Sequence, residues 1–145
     1  MLALLQRVTQ ARVDVAGDCI AQIGAGLLVL LGVEREDSNT TADRLLERVL
    51  GYRVFPDARQ RMNLSLTDVR GGLLLVPQFT LAADTAKGTR ASFSSAAPVE
   101  AGREIYSYLV ERAARVHSPL ASGRFGADMQ VHLTNDGPVT FLLRA

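Results

Sequence analysis

From Thr9 onward, apolar and polar residues alternate: Ala11, Val13 and Val15 share one side, and Gln10, Arg12 and Asp14 share the other. That period of two predicts a half-buried strand, and residues 2–15 read as one continuous strand. Ala16-Gly17-Asp18 predicts a turn, after which residues 19–23 return as the second arm of a hairpin. Beyond Gly24-Ala25-Gly26, residues 27–33 are apolar on both faces and predict a central, covered strand. Asp37-Ser38-Asn39-Thr40 offers several N-caps for a helix with the stripe Ala42, Leu45, Leu46, Val49 and Leu50, which Gly51 can close. A second helix is expected from Pro98, a residue suited to the first helical position. Its stripe is Ala101, Ile105, Tyr108, Leu109 and Val116, and it ends before Pro119. Between the helices, residues 72–76 predict a buried strand leading into Pro77-Gln78-Phe79-Thr80-Leu81. Met129, Val131 and Leu133 alternate again, and Asn135-Asp136-Gly137-Pro138 is expected to turn into a last strand at residues 139–143. The order is β-β-β-α-β-α-β-β. Hairpins at both ends predict an α+β fold, a mainly antiparallel sheet or partly closed barrel covered by two α-helices.

No linker, repeat or low-complexity stretch divides the chain, so residues 1–145 are read as a single domain, long enough to bury one core. The balance of 48% apolar and 21% charged residues is that of a soluble globular protein. The longest apolar run, Leu27 to Val33, is too short to span a bilayer, so no membrane association is expected. The first residues turn polar too early for a signal peptide. A single cysteine, Cys19, rules out an internal disulfide and fits a reducing compartment, so the expected location is cytoplasmic. The net charge of +1 lacks the basic excess of proteins that grip long stretches of nucleic acid. A nucleic-acid ligand would be held by a pocket for one end.

Familiar chemistry is missing from the sequence. No Gly-Lys-Ser/Thr follows a glycine-rich turn, Gly24 and Gly26 lack the third glycine of a dinucleotide fingerprint, and no Gly-x-Ser-x-Gly elbow occurs. His117 and His132 are too far apart for a helical metal pair, and each reads as a surface or hydrogen-bonded histidine. Cys19, beside Ile20 in a strand, reads as a buried inert thiol. Neither metal nor cofactor is expected. A catalytic carboxylate pair stays open, though no spacing points to one.

Three features stand out. Pro77–Leu81 lies at a strand exit, where sheets place ligands, yet an ordinary edge with a core phenylalanine explains it as well and is favoured by the residues alone. In Asn135–Thr140, the Asp-Gly pair signals a hairpin, while Pro138 removes an amide that the returning strand would use. An ordinary tight turn is the plain reading. Arg7 shares parity with Leu5, Ala11, Val13 and Val15 unless a bulge intervenes, so it must find acceptors inside. A bulge near Val8 would instead turn it to solvent. The polar segment 82–97 is long for a compact domain; its Lys87 and Arg90 suit phosphates or are incidental charges on a solvated loop.

Gln78-Phe79-Thr80, followed by Asn135-Asp136-Gly137-Pro138-Val139-Thr140, resembles the D-aminoacyl-tRNA deacylase family, and the resemblance runs nearly end to end. It implies a homodimer with active sites at the subunit interface and a tRNA 3′ end carrying a D-aminoacyl or glycyl group as substrate. The Gly137-Pro138 peptide is implied to be cis and to reach into the partner's pocket, where its carbonyls reject L-amino acids. Arg7 is implied to hold that corner. Gln78, Phe79 and Thr80 are implied to line the pocket, with the amides near Phe79 and Thr80 facing the ester carbonyl. Phe125 and Met129 are candidates for the terminal adenine, and Lys87 and Arg90 for tRNA phosphates. This chain departs from the family pattern at Pro77, where serine is usual, and at Ala91, where proline is usual. Pro77 brings no hydroxyl, so a mechanism that needs one there is in doubt.

Two chemical routes follow. Thr80 could act as a nucleophile, which requires a neighbouring base. Alternatively water attacks the ester directly, helped by the ribose 2′-hydroxyl, with backbone amides stabilising the oxyanion. The sequence offers no base, which favours the second route. Two rival functions are a non-catalytic RNA-binding module and a small-molecule hydrolase or imine deaminase.

Overall fold

The computed structural model describes residues 1–145. Its elements run β1 (Leu2–Val15), β2 (Asp18–Ile23), β3 (Gly26–Gly32), α1 (Asn39–Gly51), β4 (Phe55–Pro56), β5 (Met62–Leu64), α2 (Leu66–Val69), β6 (Gly72–Pro77), a 3-10 turn (Phe79–Ala82), α3 (Val99–Val116), β7 (Leu120–Ser122) and β8 (Gln130–Arg144). The fold is α+β. Strand β1 is the spine of the main sheet: β3 and β2 pair with successive halves of one of its edges, and β8 pairs with the other, all antiparallel. The remaining strands extend the sheet in the order β2-β1-β3-β6-β7, and the β3–β6 and β6–β7 ladders are parallel. Each parallel step needs a crossover long enough to carry a helix, and α1 and α3 lie in those crossovers.

The β1–β2 hairpin closes on Ala16 and Gly17, both with positive φ, as a two-residue turn matched to strand twist requires. Helix α1 begins at Ser38, whose hydroxyl accepts from the Thr41 amide while the Thr41 hydroxyl accepts from the Ser38 amide. Its buried residues Ala42, Leu45, Leu46 and Val49 pack onto the sheet face formed by Ala3, Leu5, Leu27, Val29, Leu73 and Leu75. The opposite sheet face curls on itself and encloses Val8, Ala11, Val13, Leu28, Leu74 and Val76.

Several expectations need correction. The stripe of α3 is Gly102, Tyr106, Leu109 and Ala113, one step round from the predicted one, and Val116 is exposed. Two of its members, Gly102 and Ala113, are small, a signal that counting large apolar residues misses. Pro98 is the N-cap of that helix and Val99 its first residue. The small β4–β5 hairpin, the one-turn α2 and the short β7 add to the predicted order, so three helices are present. Cys19 is exposed, because the β1–β2 register slips between Val13 and Asp14 and turns it outward.

Arg7 does not share a row with Ala11 and Val13. The β1–β8 register shifts between Gln6 and Gln10, so Ala11 and Val13 face the barrel interior with Val8. Arg7 remains on the helix-covered side, its side chain 12% exposed. The predicted turn at 135–138 is not a hairpin either. Strand β8 stays antiparallel to β1 on both sides of it, and the chain leaves the ladder after Asn135, opposite Val8, and rejoins at Thr140, opposite Gln6. Five steps of β8 oppose two of β1, an enlarged bulge.

Candidate active site

Strand β6 ends at Pro77, and the Gln78 amide makes one more ladder bond, to the Leu31 carbonyl at 2.7 Å. The chain then winds into the 3-10 turn, whose opening residues Phe79 and Thr80 leave their amides outside the backbone bonds that fix Gln78, Leu81 and Ala83. Gln78 and Phe79 border a cavity of about 400 Å³, closed on the other side by Val99, Phe125 and Met129. Phe79 is 62% exposed and leans on Phe93, ring centroids 5.2 Å apart. Phe125 is backed by Tyr106 at 6.0 Å and capped by the Arg103 guanidinium 5.0 Å from its centroid.

Tyr106 fixes this wall from beneath. Its hydroxyl lies 3.0 and 3.1 Å from the Leu75 and Gly123 carbonyls and has one proton to share between them, which ties β6 to the segment that carries Phe125 and Met129. Burial pushes its phenol well above the ordinary tyrosine value. None of the ten residues around the cavity is ionisable: they are Val76, Pro77, Gln78, Phe79, Val99, Phe125, Gly126, Ala127, Met129 and Val131. The Thr80 hydroxyl accepts from the Gln78 carboxamide, which cannot take a proton as a base. Thr80 therefore stands beside the cavity without the partner that a nucleophile needs.

Gly137 and Pro138 form a separate cluster. Their peptide bond is cis, and both residues are exposed at the tip of the β8 excursion. Arg7 reaches beneath them: its Nη1 donates to the Val54 carbonyl at 2.6 Å, and its Nε donates to the Asp136 carbonyl at 3.2 Å and pairs with the Asp136 carboxylate at 3.1 Å. Gly137 has φ +129°, and a Cβ there would lie 2.7 Å from Val139 Cγ2 and 3.1 Å from Arg7 Nη2. Glycine is thus demanded by the corner's own geometry. Lys87 and Arg90 sit exposed on the loop after the 3-10 turn, outside the cavity.

Gln78, Phe79, Phe125 and Met129 therefore meet at one cavity, Arg7, Gly137 and Pro138 meet at another place, and the two groups are apart. Ala3 pairs with the Leu31 that holds Gln78, whereas Arg7 is four positions further along β1, about 13 Å at a strand's rise. Sequence reasoning missed Arg103, Tyr106, Val54 and Asn135. Only Asn135, within the second motif, carried a sequence signal.

The cavity is uncharged and aromatic-walled, lies at a strand exit of an α+β sheet, and has the shape and lining to take a planar group, with free backbone amides beside it. Comparison with known proteins supplies the class. The family described as D-Tyr-tRNA(Tyr) deacylase matches residues 4–144. A D-aminoacyl-tRNA deacylase of Pseudomonas fluorescens (strain Pf-5) is 63% identical over 144 residues, covering 99% of this chain and 99% of the relative. One of Nitrosococcus oceani is 63% identical over 144 residues, 99% of this chain and 93% of the relative. A solved structure titled c-Myc DNA Unwinding Element Binding Protein superposes with TM-score 0.95 at 38% identity, covering 100% and 99% of the two chains. Another, titled as a probable eukaryotic D-amino acid tRNA deacylase, gives TM-score 0.85 at 18% identity over 99% and 98%, a likeness of fold. The chain belongs to the D-Tyr-tRNA(Tyr) deacylase family and is a hydrolase.

Proposed function

We propose that this protein hydrolyses the ester of D-aminoacyl-tRNA, and of glycyl-tRNA, in the cytoplasm, as a homodimer in which each protomer's Gly137-Pro138 corner enters the other's cavity. The observation that carries this reading is the separation of the two motifs within one chain. Arg7 and Gly137 stand about 13 Å along β1 from the Gln78 end, so one copy supplies a cavity and another the corner. The dimer is supported by β8. Its second edge pairs with no strand of the chain, and Phe141 and Leu142 on it are 36% and 49% exposed. A long unpaired edge with exposed apolar residues at its C-terminal end is a surface that a second copy covers.

The chemistry follows from the site. The terminal adenine stacks against Phe125 and Met129, which border the same cavity as Phe79. The ester carbonyl lies by the amides of Phe79 and Thr80, which are free to stabilise a developing oxyanion. Water is the nucleophile, activated by the neighbouring ribose 2′-hydroxyl, since Thr80 has only a carboxamide partner. This route needs no hydroxyl at position 77 and so accommodates Pro77. The partner's corner faces the substrate α-carbon. An L side chain collides with its main chain, a D side chain points away, and glycine has none to exclude. Exposed Lys87 and Arg90 meet tRNA phosphates.

The test is deacylation of matched D- and L-tyrosyl-tRNA by the purified protein, with and without chelator. The expected result is turnover of the D-substrate alone, indifferent to chelator. Equal hydrolysis of both enantiomers would overturn the reading. Binding without turnover, with a steep salt dependence on unacylated RNA, would instead identify a nucleic-acid-binding module. Free D-aminoacyl esters cleaved as fast as the tRNA-linked substrate would identify a small-molecule hydrolase.

A further inference from the structure

We propose that Asn135 is a specificity-determining positioning residue, whose carboxamide sets the direction in which the Gly137-Pro138 corner projects. The inference rests on the reading of that corner as the element that rejects L-substrates.

Between Asn135 and Thr140 the β1–β8 ladder loses its regular rungs. The Asn135 side chain replaces them. Its Oδ1 accepts from the Val139 amide at 2.9 Å, and its Nδ2 donates to the Val139 carbonyl at 3.4 Å and to the Thr140 hydroxyl at 3.1 Å. A carboxamide has the donor and acceptor of a peptide group, so it can satisfy Val139 in both directions as a neighbouring strand would. The Thr140 hydroxyl also accepts from the Gln6 carboxamide at 3.4 Å, which links this neck to β1.

Beyond the neck, Asp136, Gly137 and Pro138 are all exposed. Their hold on the rest of the chain is Arg7, which grips Asp136 from below. The corner's polar anchors are thus two, Arg7 at its base and Asn135 at its neck, beside Val139, whose side chain packs against the main core. Loss of the neck leaves the Val139 amide and carbonyl without their partners and lets residues 136–138 shift while the Val139 side chain and the sheet stay packed. Displacement of a reacting geometry by about 1 Å can change rates by about a hundredfold. Selectivity is therefore far more exposed than stability to this side chain.

The experiment measures single-turnover deacylation of D- and L-tyrosyl-tRNA, together with Tm, for wild type, Asn135→Ala, Asn135→Asp and Gly137→Ala. Thr67→Ala serves as a stability control, since its hydroxyl bonds only the Leu50 carbonyl at 3.3 Å, away from both motifs. Asn135→Ala is expected to lower the D-to-L rate ratio by at least about tenfold at a Tm close to the control's. Asn135→Asp keeps the acceptor for Val139 but loses both donors, and is expected to fall between. A ratio within about twofold of wild type in Asn135→Ala, or an equal drop in Thr67→Ala, would overturn the inference. If Gly137→Ala loses D-turnover or L-rejection while Asn135→Ala keeps both, the inference alone fails. If Gly137→Ala also keeps both, the reading of the corner fails with it.

Discussion

Replacing Arg7 by alanine is the perturbation whose cost can best be worked from the structure. The side chain is 12% exposed, and its Nη1 satisfies the carbonyl of Val54, a residue with no exposed surface. A hydrogen bond from a charged donor to a buried acceptor is worth about 1.5–3 kcal/mol, and its loss here leaves the Val54 carbonyl bare. The ion pair to Asp136 adds less than about 1 kcal/mol, because that carboxylate is 49% exposed and screened by water. The sum is about 3 kcal/mol, which lowers the Tm of a chain this size by about 6–12 °C. Arg7→Lys is expected to recover only part of it, since a single ammonium cannot serve Val54 and Asp136 with the spread of a guanidinium. The assay pairs thermal unfolding with D- and L-tyrosyl-tRNA deacylation well below the transition. Arg7→Ala is expected to lose both stability and enantiomer selectivity. A Tm shift under about 2 °C, or a large shift with selectivity untouched, would refute the double role.

Thr80→Ala is expected to retain deacylation within about tenfold of wild type, because its hydroxyl has no base; removal of a true nucleophile costs on the order of a millionfold. In α2, the Ser65 amide and hydroxyl hold the Asp68 carboxyl below its ordinary value of 3.8. A lowered folded-state pKa means that this contribution is complete above the unfolded value and is lost as pH falls through the folded one. The stability gap between wild type and Asp68→Asn, followed by urea unfolding, is therefore expected to be widest at neutral pH and to shrink below about pH 4. A gap independent of pH would contradict that assignment. Phe125→Ala is expected to raise KM for D-tyrosyl-tRNA by more than it lowers kcat, because it removes a stacking wall; an effect confined to kcat would argue against adenine binding there.

How much of this was legible in the sequence depended on how local each feature is. The hairpin, the buried β3 and β6 and the stripe of α1 follow from period and capping, which short stretches fix by themselves. The path of β8 did not. Asp-Gly is a hairpin signal when only neighbours are considered, but here β1 continues past Arg7 and keeps pairing on both sides of the excursion, a constraint set by distant residues. The same shift in register moved Ala11 and Val13 to the opposite face from Arg7, and the slip by Asp14 brought Cys19 outward. The inward Arg7 was legible from its parity with Leu5, while its acceptor Val54, far off in the chain, was not. Gln78, Phe79, Phe125 and Met129 were named from motif and residue type, and the fold brings them to one cavity. Tyr106 and Arg103 escaped because their importance lies in supporting Phe125 across the contact between α3 and the segment that joins β7 to β8.

The central claim is that corner and cavity act across two protomers, and mixing a cavity-defective with a corner-defective variant tests it most directly. One carries Gln78→Ala with Phe79→Ala, which removes the cavity wall and leaves the corner intact. The other carries Gly137→Ala, whose new Cβ collides with Val139 and Arg7 and leaves the cavity intact. In a mixed dimer the one sound cavity meets a sound corner, so exchange of Gly137→Ala with an excess of the cavity-defective variant is expected to return its D-to-L rate ratio close to the wild-type value. If the ratio stays at that of Gly137→Ala alone after subunit exchange is verified, the two motifs do not meet across the dimer, and the account is wrong.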